Sequence, residues 1–300
     1  MKALVSGGTG LVGRFIVEEL LDQGYEVTVG GRTQPAERLF SRPVGFVPLV
    51  LDPDRDQAVA FEGADHFVHA AFDHLPGKYR GGEGSDPDGF RARNLDGTMR
   101  LFQTARQAGV KRCVFLSSRA VYGPQRDGTL LNEATVPRPD TLYGAVKLAA
   151  EQALAAMAGP DFIATSLRVT GVYGTARPGQ SHKWQALFAD YLAGRPVEPR
   201  LATEVHGRDV AQAVQMMLEL QADKINGLAF NVSDLLLDRH DLLRLLQAAA
   251  GSAHQLPAPV AGDAPWQMDT ARLRKLGWTP GGKELLATTV RSLHASPVID

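Results

Sequence analysis

The chain has 300 residues, 44% of them hydrophobic, and a formal net charge of −1. That is enough apolar content for one large domain or for two unequal lobes around a cleft. The near-neutral balance excludes the basic stripe that nucleic acid or an anionic membrane surface would need, and a single cysteine excludes an internal disulfide.

In chain order, the start MKALVSGGTG has too short an apolar run for a signal-peptide core. No later stretch approaches the roughly 18 apolar residues of a membrane span, so a soluble cytoplasmic protein is expected. KALVS reads as a buried strand and LVGRFIVEELLDQG as an amphipathic helix closing at Gly24. YEVTVG, FVPLVL and HFVHAA read as the second, third and fourth strands. The polar, glycine-rich stretch 73–89 is long for a loop and is either a lid or a mobile insertion. DGFRARNLDGTMRLFQTARQAG is expected as one helix, followed by the strand KRCVFLSS, where Cys113 reads as a buried side chain. A helix from Thr141 to Gly159–Pro160 and a strand in DFIATSLRV come next. Alternating strands and helices with continuous apolar runs predict an α/β fold with a parallel sheet covered on both faces. Past residue 170 the helical pieces KWQALFADYLAG, DVAQAVQMMLELQ, DRHDLLRLLQAAAG and ELLATTVRSL are separated by Pro/Gly-rich loops, with GLAFNVS as a candidate extra strand. This predicts a smaller, mostly helical C-terminal lobe.

The first strand runs into Ser6-Gly7-Gly8-Thr9-Gly10-Leu11-Val12-Gly13 and then a helix. Gly7, Gly10 and Gly13 have the spacing of a dinucleotide-binding turn. Glycines permit the tight turn and let a pyrophosphate approach the backbone, and the helix N-terminus offers free N–H groups with partial positive charge. Gly7, Thr9, Gly10, Leu11, Val12 and Gly13 are therefore candidate cofactor contacts. An acid closing the second strand would favour NAD. The strand instead ends Val29-Gly30-Gly31-Arg32-Thr33, and Arg32 either pairs with a 2′-phosphate or is a solvated surface residue. NADP is favoured over NAD on this ground. Asp52, after the third strand, either accepts from an adenine amino group or is an ordinary loop carboxylate.

Tyr143 and Lys147 stand four apart at the start of a helix, which Asp140 or Thr141 can cap, so they share a face. Tyrosine is a poor base with its pKa at about 10, and a neighbouring ammonium stabilises its phenolate. Such a tyrosine can exchange a proton with an alcohol or carbonyl while a nicotinamide moves the hydride. Ser117-Ser118-Arg119 closes the preceding strand, and the carboxyl ends of parallel strands line the ligand crevice.

With SGGTGLVG, Asn94-Leu95-Asp96-Gly97-Thr98, SSRAVYG, YGAVK, LRVTGVYG, VHGRDVA and DTARLRKLGWTP, the chain resembles, over nearly its whole length, an extended short-chain dehydrogenase/reductase of the NAD(P)-dependent epimerase/dehydratase family. The resemblance implies a Rossmann-type doubly wound sheet, with a dinucleotide-binding domain at 1–169 joined by parts of 206–232, and a substrate lobe at 170–300. It implies Tyr143 as acid/base, Lys147 on the nicotinamide ribose, Ser118 on the substrate oxygen, and Ala70, Ala71, Asn94 and Ser117 along the cofactor channel. It also implies a homodimer through the Tyr143 helix, whose apolar residues spread around most of its girth; packing within the chain is the alternative.

The departures limit the substrate. Arg119 and Ala120 stand where the family's dehydratases carry an Asp-Glu pair, which argues against elimination of water. Gly171 replaces an asparagine usual in nucleotide-sugar members, and Ala202 falls where those members place a pyrophosphate-gripping arginine, with Arg200 out of register. Arg177, Lys183, Arg195 and Arg200 either form an anion site between the lobes or an ordinary charged surface, and Arg119, one residue past Ser118, is a candidate to face a substrate carboxylate or phosphate. His66 and His69 face opposite sides of one strand and give no metal pair. The expected function is an NAD(P)-dependent epimerase or oxidoreductase acting at a secondary alcohol or ketone of a sugar or nucleotide-sugar-like substrate. An NADPH-dependent carbonyl reductase or sugar dehydrogenase is the alternative, and a non-catalytic NADP sensor the reading of a different class.

Overall fold

A computed structural model describes residues 1–75, 82–126, 129–261 and 266–296. In chain order the elements are β1 (Lys2–Ser6), α1 (Leu11–Asp22), β2 (Glu26–Gly31), β3 (Gly45–Pro48), β4 (His66–His69) and α2 (Pro87–Arg91). A π-helical turn (Ala92–Gly97) leads into α3 (Thr98–Gln107), then come β5 (Arg112–Ser118) and a 3-10 turn (Arg119–Tyr122). α4 (Leu142–Met157), β6 (Ile163–Val169), β7 (Gly171–Tyr173), α5 (Gln185–Leu192), β8 (Leu201–His206), α6 (Gly207–Glu219) and α7 (Ala222–Ile225) follow. The chain continues through β9 (Leu228–Val232), β10 (Leu235–Asp238), α8 (Arg239–Ala250), α9 (Ala271–Arg274) and α10 (Gly282–Ala295).

Among the described residues, seven strands form one parallel sheet in the order β3-β2-β1-β4-β5-β6-β9. The order reverses between β1 and β4, which opens a crevice at the carboxyl ends of those strands. Alternation along each strand splits the core in two. Val5, Val114 and Leu116 pack with Ile16, Leu20, Val210, Val214 and Met217 of α1 and α6 on one face. Leu4, Phe67 and Phe115 pack with Leu101, Phe102, Val146, Ala150 and Leu154 of α3 and α4 on the other. Every residue of β6 is buried, Thr165, Ser166 and Arg168 included, as in a strand covered on both sides.

Three strands escape the sequence pattern. β7, β8 and β10 form a second sheet in the order β10-β8-β7, so the C-terminal region is less purely helical than its sequence suggests. They are short, and their periodicity is masked by flanking turns. GLAFNVS does form a strand, β9, but at the edge of the main sheet beside β6. The expected third strand stops at Pro48. The long helix expected from Asp88 is interrupted by the π turn at Ala92–Gly97. No helix among the described residues is long and apolar enough to cross a membrane. The apolar girth of α4 is largely met within the chain: Ala149 and Met157 lie on the α3 side, and Leu148 packs with Val121, Tyr122, Leu131 and Met268.

Candidate active site

The glycine turn is built on contacts that side chains would break. Gly7 has φ +72° and donates its N–H to Gly30 O at 3.1 Å. A Cβ there would lie 2.6 Å from the Ala71 nitrogen, and one on Gly13 would overlap the Gly7 carbonyl. The turn after β1 therefore presses directly on Ala70–Ala71 after β4, across the reversal point. Gly10 is the N-cap of α1 and brings no side-chain hydrogen bond, and the first turn carries no acid. The helix begins with uncapped N–H groups, beside an exposed Thr9 and a Leu11 that is 37% exposed. This is the arrangement an anionic pyrophosphate fits. Beneath it, His69 is fully buried between Ser6 Oγ (2.6 Å) and Thr98 Oγ1 (3.0 Å). Burial, and secondarily Lys147, push its imidazole down to about 3, so it stays neutral and pins β1, β4 and α3 together.

The second half of the site grows from β5 and α4. Thr141 rather than Asp140 caps α4, its Oγ1 accepting from Gly144 N at 3.0 Å. Gly144 lets the helix approach the turn that follows Ser118, because a Cβ at 144 would sit 2.5 Å from Ala120 O. Ser118 Oγ itself accepts from Ala120 N at 3.2 Å. Lys147, 4% exposed, donates from Nζ to Leu116 O at 2.7 Å. Its ammonium lies 4.5 Å from the Phe72 ring centroid and 4.6 Å from that of Phe115. Burial pushes Lys147 down to about 7, against the pull of Glu151 one turn further on. Tyr143, half-buried, meets the edge of Phe72 with ring centroids 5.0 Å apart. Phe72 thus touches both members of the Tyr/Lys pair; nothing in its sequence context singled it out, because it follows its strand as one aromatic among several. Ser117 Oγ is buried without a hydrogen-bond partner. Ser117 shares strand parity with Cys113 and Phe115, whose side chains lie in the core on the α4 side. A buried orphan hydroxyl beside the Lys147 nest is what a ribose hydroxyl would satisfy. Cradle, uncapped helix and orphan hydroxyl together fit a nicotinamide dinucleotide.

The adenosine end is more open. No side chain crowds Gly31. Arg32, its side chain 80% exposed, lies 3.8 Å from Asp73 Oδ1. Asp52 Oδ1 accepts from Asp54 N at 3.0 Å, which closes its own turn. Asn94 is not a free channel wall: its Oδ1 accepts from Asp73 N, and its Nδ2 donates to Asp73 O and Phe90 O. With Arg93 on Asp73 Oδ2 at 2.7 Å, it fixes the path of the chain after β4. Part of the expected lid, residues 76–81, lies outside the described residues. Leu75 N donates to Gly82 O at 3.0 Å on either side of it.

The cations named from the sequence make separate contacts with the chain. Arg177 reaches the segment after β2, donating to Arg38 O at 2.6 Å. Arg195 pairs with Asp190. Arg200 precedes β8, its carbonyl accepting from Arg239 N. Arg119 opens the 3-10 turn next to Ser118. Lys183 pairs with Glu204, a partner that sequence spacing gave no means of finding. Ala202 is a ladder residue of β8 opposite Leu237. Among the described residues no cluster of His, Cys, Asp and Glu is suited to a metal ion.

Residues 3–233 match the model of the NAD dependent epimerase/dehydratase family. A dTDP-6-deoxy-L-talose 4-dehydrogenase (NAD(P)(+)) from Kitasatospora kifunensis is 30% identical over 97% of this chain and 94% of its own length. A UDP-glucose 4-epimerase from Streptomyces lividans is 33% identical over 50% of this chain and 45% of its own length. The first curated relatives are spanned over 45%, 52% and 62% of their length, about half. Among solved structures, the Thermus thermophilus UDP-glucose 4-epimerase in complex with NAD superposes with a TM-score of 0.74 at 28% identity, covering 98% of both chains.

Proposed function

Because the chain belongs to the NAD dependent epimerase/dehydratase family and is an enzyme of the extended short-chain dehydrogenase/reductase type, we propose that it interconverts a secondary alcohol and a ketone on the sugar ring of a nucleotide sugar. Tyr143 carries the proton, Ser118 holds the reacting oxygen and Lys147 holds the cofactor ribose. The carrying observation is the 2.7 Å bond from Lys147 Nζ to Leu116 O. It lays α4 across the end of β5, two residues short of Ser118 and one helical turn below Tyr143, which supports a shared role for the three. When bound, the nicotinamide supplies the hydride acceptor or donor. Every other task falls to the chain. Gly7, Gly10, Gly13 and the α1 N-terminus bind the pyrophosphate, with Thr9, Leu11, Val12, Ala70, Ala71 and Ser117 along the channel. Tyr143 takes the hydroxyl proton in oxidation and returns it in reduction. Phe72 and Phe115 keep water from Lys147.

Two features bear on the finer reading. Gly31 leaves room where an acid would reject a 2′-phosphate, and Arg32 stands next to it, which supports NADP over NAD. The relative matched end to end is named a dehydrogenase, which supports net oxidation or reduction as the second reading beside epimerisation with retained cofactor. The nucleotide-sugar class rests on what the relatives are named for. We further assign 1–169 with parts of 206–232 to cofactor binding and 170–300 to substrate; the pairing of β9 with β6 and the packing of α6 against α1 support it.

Tyr143→Phe keeps the ring contact with Phe72 and removes the proton carrier. Turnover is expected to fall by about 10²–10⁴-fold with cofactor affinity nearly unchanged, read by steady-state kinetics beside a fluorescence titration of NADPH. Wild-type-like turnover in that variant would refute the assignment.

A further inference from the structure

Resting on the nucleotide-sugar reading, an ion pair outside the Ser118–Tyr143–Lys147 group bears on what the sugar ring carries. Gly171 opens β7 two residues past Val169, whose register partner in the sheet is Ser118. Gly171 is in turn paired with Glu204 of β8. A Cβ at Gly171 would lie 2.7 Å from Glu204 Oε2 and 2.9 Å from Lys183 Nζ. Both charged ends therefore rest on bare backbone at the same edge of the sheet as Ser118. They are 2.5 Å apart, with the Glu204 side chain 8% exposed and that of Lys183 29% exposed. Thr170 Oγ1 and His182 Nδ1, each adjacent in sequence to this contact, are buried without hydrogen-bond partners.

The chemistry follows from the charges. A carboxylate this buried needs its cation, so Lys183 is already neutralised. An ammonium has three donors and a carboxylate several lone pairs, so the pair retains both donating and accepting capacity at zero net charge. A hydroxyl, itself donor and acceptor, complements that. A substrate carboxylate does not: it would face the Glu204 charge, and Lys183 is already held in the pair.

We propose that the Lys183–Glu204 pair, seated on the Gly171 backbone, reads the exocyclic hydroxyl of the sugar and rejects a carboxylate in its place. The substrate class is then a nucleotide of an uncharged hexose that keeps this hydroxyl, and uronate nucleotides are excluded.

Calorimetric titration of the enzyme saturated with nicotinamide dinucleotide, using UDP-glucose and UDP-glucuronate as probes, tests this. The wild type is expected to favour UDP-glucose by at least about tenfold, the scale of one hydrogen bond to a charged group. Glu204→Gln releases the Lys183 charge and is expected to shift the ratio about tenfold toward UDP-glucuronate. Should that variant not fold, Lys183→Gln carries the test in the opposite sense, because it leaves Glu204 unbalanced and must weaken UDP-glucuronate further. Equal wild-type affinities, an unchanged ratio in folded Glu204→Gln, or a gain for UDP-glucuronate in Lys183→Gln overturns this inference alone. A wild type that binds neither these probes nor dTDP-glucose overturns the nucleotide-sugar reading and this inference with it.

Discussion

An ammonium walled in by Phe72 and Phe115, with the Leu116 carbonyl as acceptor, is held against the preference of a charge for water. Burial lowers the Lys147 pKa to about 7, whereas the unfolded lysine keeps its proton to about 10.4. Between those values the unfolded chain binds more protons, so stability rises with pH across that window. The penalty of the buried charge is fully present below pH 7. Lys147→Met fills the same nest without charge. It is expected to abolish turnover while raising the melting temperature by roughly 2–5 °C at pH 6, with the gain shrinking toward pH 9.5. Calorimetric scans of the cofactor-free protein at the two pH values check this, and a gain that grows with pH contradicts it. The four-residue spacing and the glycine turn made Tyr143, Lys147, Gly7 and Gly13 legible in the sequence, because helix period and turn sterics are local. Phe72, the Leu116 carbonyl and Glu204 were not legible, because each acquires its role only when distant segments meet. Nor did the sequence show that the Asn94 amide holds Asp73 and Phe90.

At the scale of elements, α4 is anchored by a buried network on the turns below Lys147. Arg168 of β6 donates through Nε and Nη2 to both Glu151 oxygens, and through Nη1 to Tyr122 Oη at 3.0 Å. Tyr122 Oη donates onward to Asn231 Oδ1 at 2.7 Å, which ties in β9. Burial raises Tyr122 against the pull of Arg168, so it remains a phenol. Removing one partner strands the other charge, so Glu151→Gln and Arg168→Met are each expected to cost about 3–5 kcal/mol. The combined Glu151→Leu/Arg168→Met variant should lose less than the sum. Urea unfolding at pH 7 measures all three; single variants within about 0.5 kcal/mol of wild type would contradict the coupling. The strands of the main sheet were legible because burial on both faces leaves continuous apolar runs. β7, β8 and β10 were not, since they lie between turns and polar residues rather than in continuous apolar runs. The π turn was hidden because one residue added to a helical turn scarcely disturbs apolar periodicity.

At the scale of the molecule, the family match, the doubly wound sheet and the crevice at the β1/β4 reversal support the proposed nicotinamide-dependent reaction, and the two readings differ in where the hydride comes to rest. An epimerase returns it within one binding event; a dehydrogenase releases the reduced cofactor. Rapid mixing of the enzyme, loaded with NAD or NADP, against UDP- and dTDP-hexoses, followed at 340 nm, answers both this and the central claim. The account predicts reduced nicotinamide appearing with at least one sugar, either transiently or cumulatively, and absent in Tyr143→Phe. No absorbance change with any sugar, or an undiminished change without the Tyr143 hydroxyl, would contradict it.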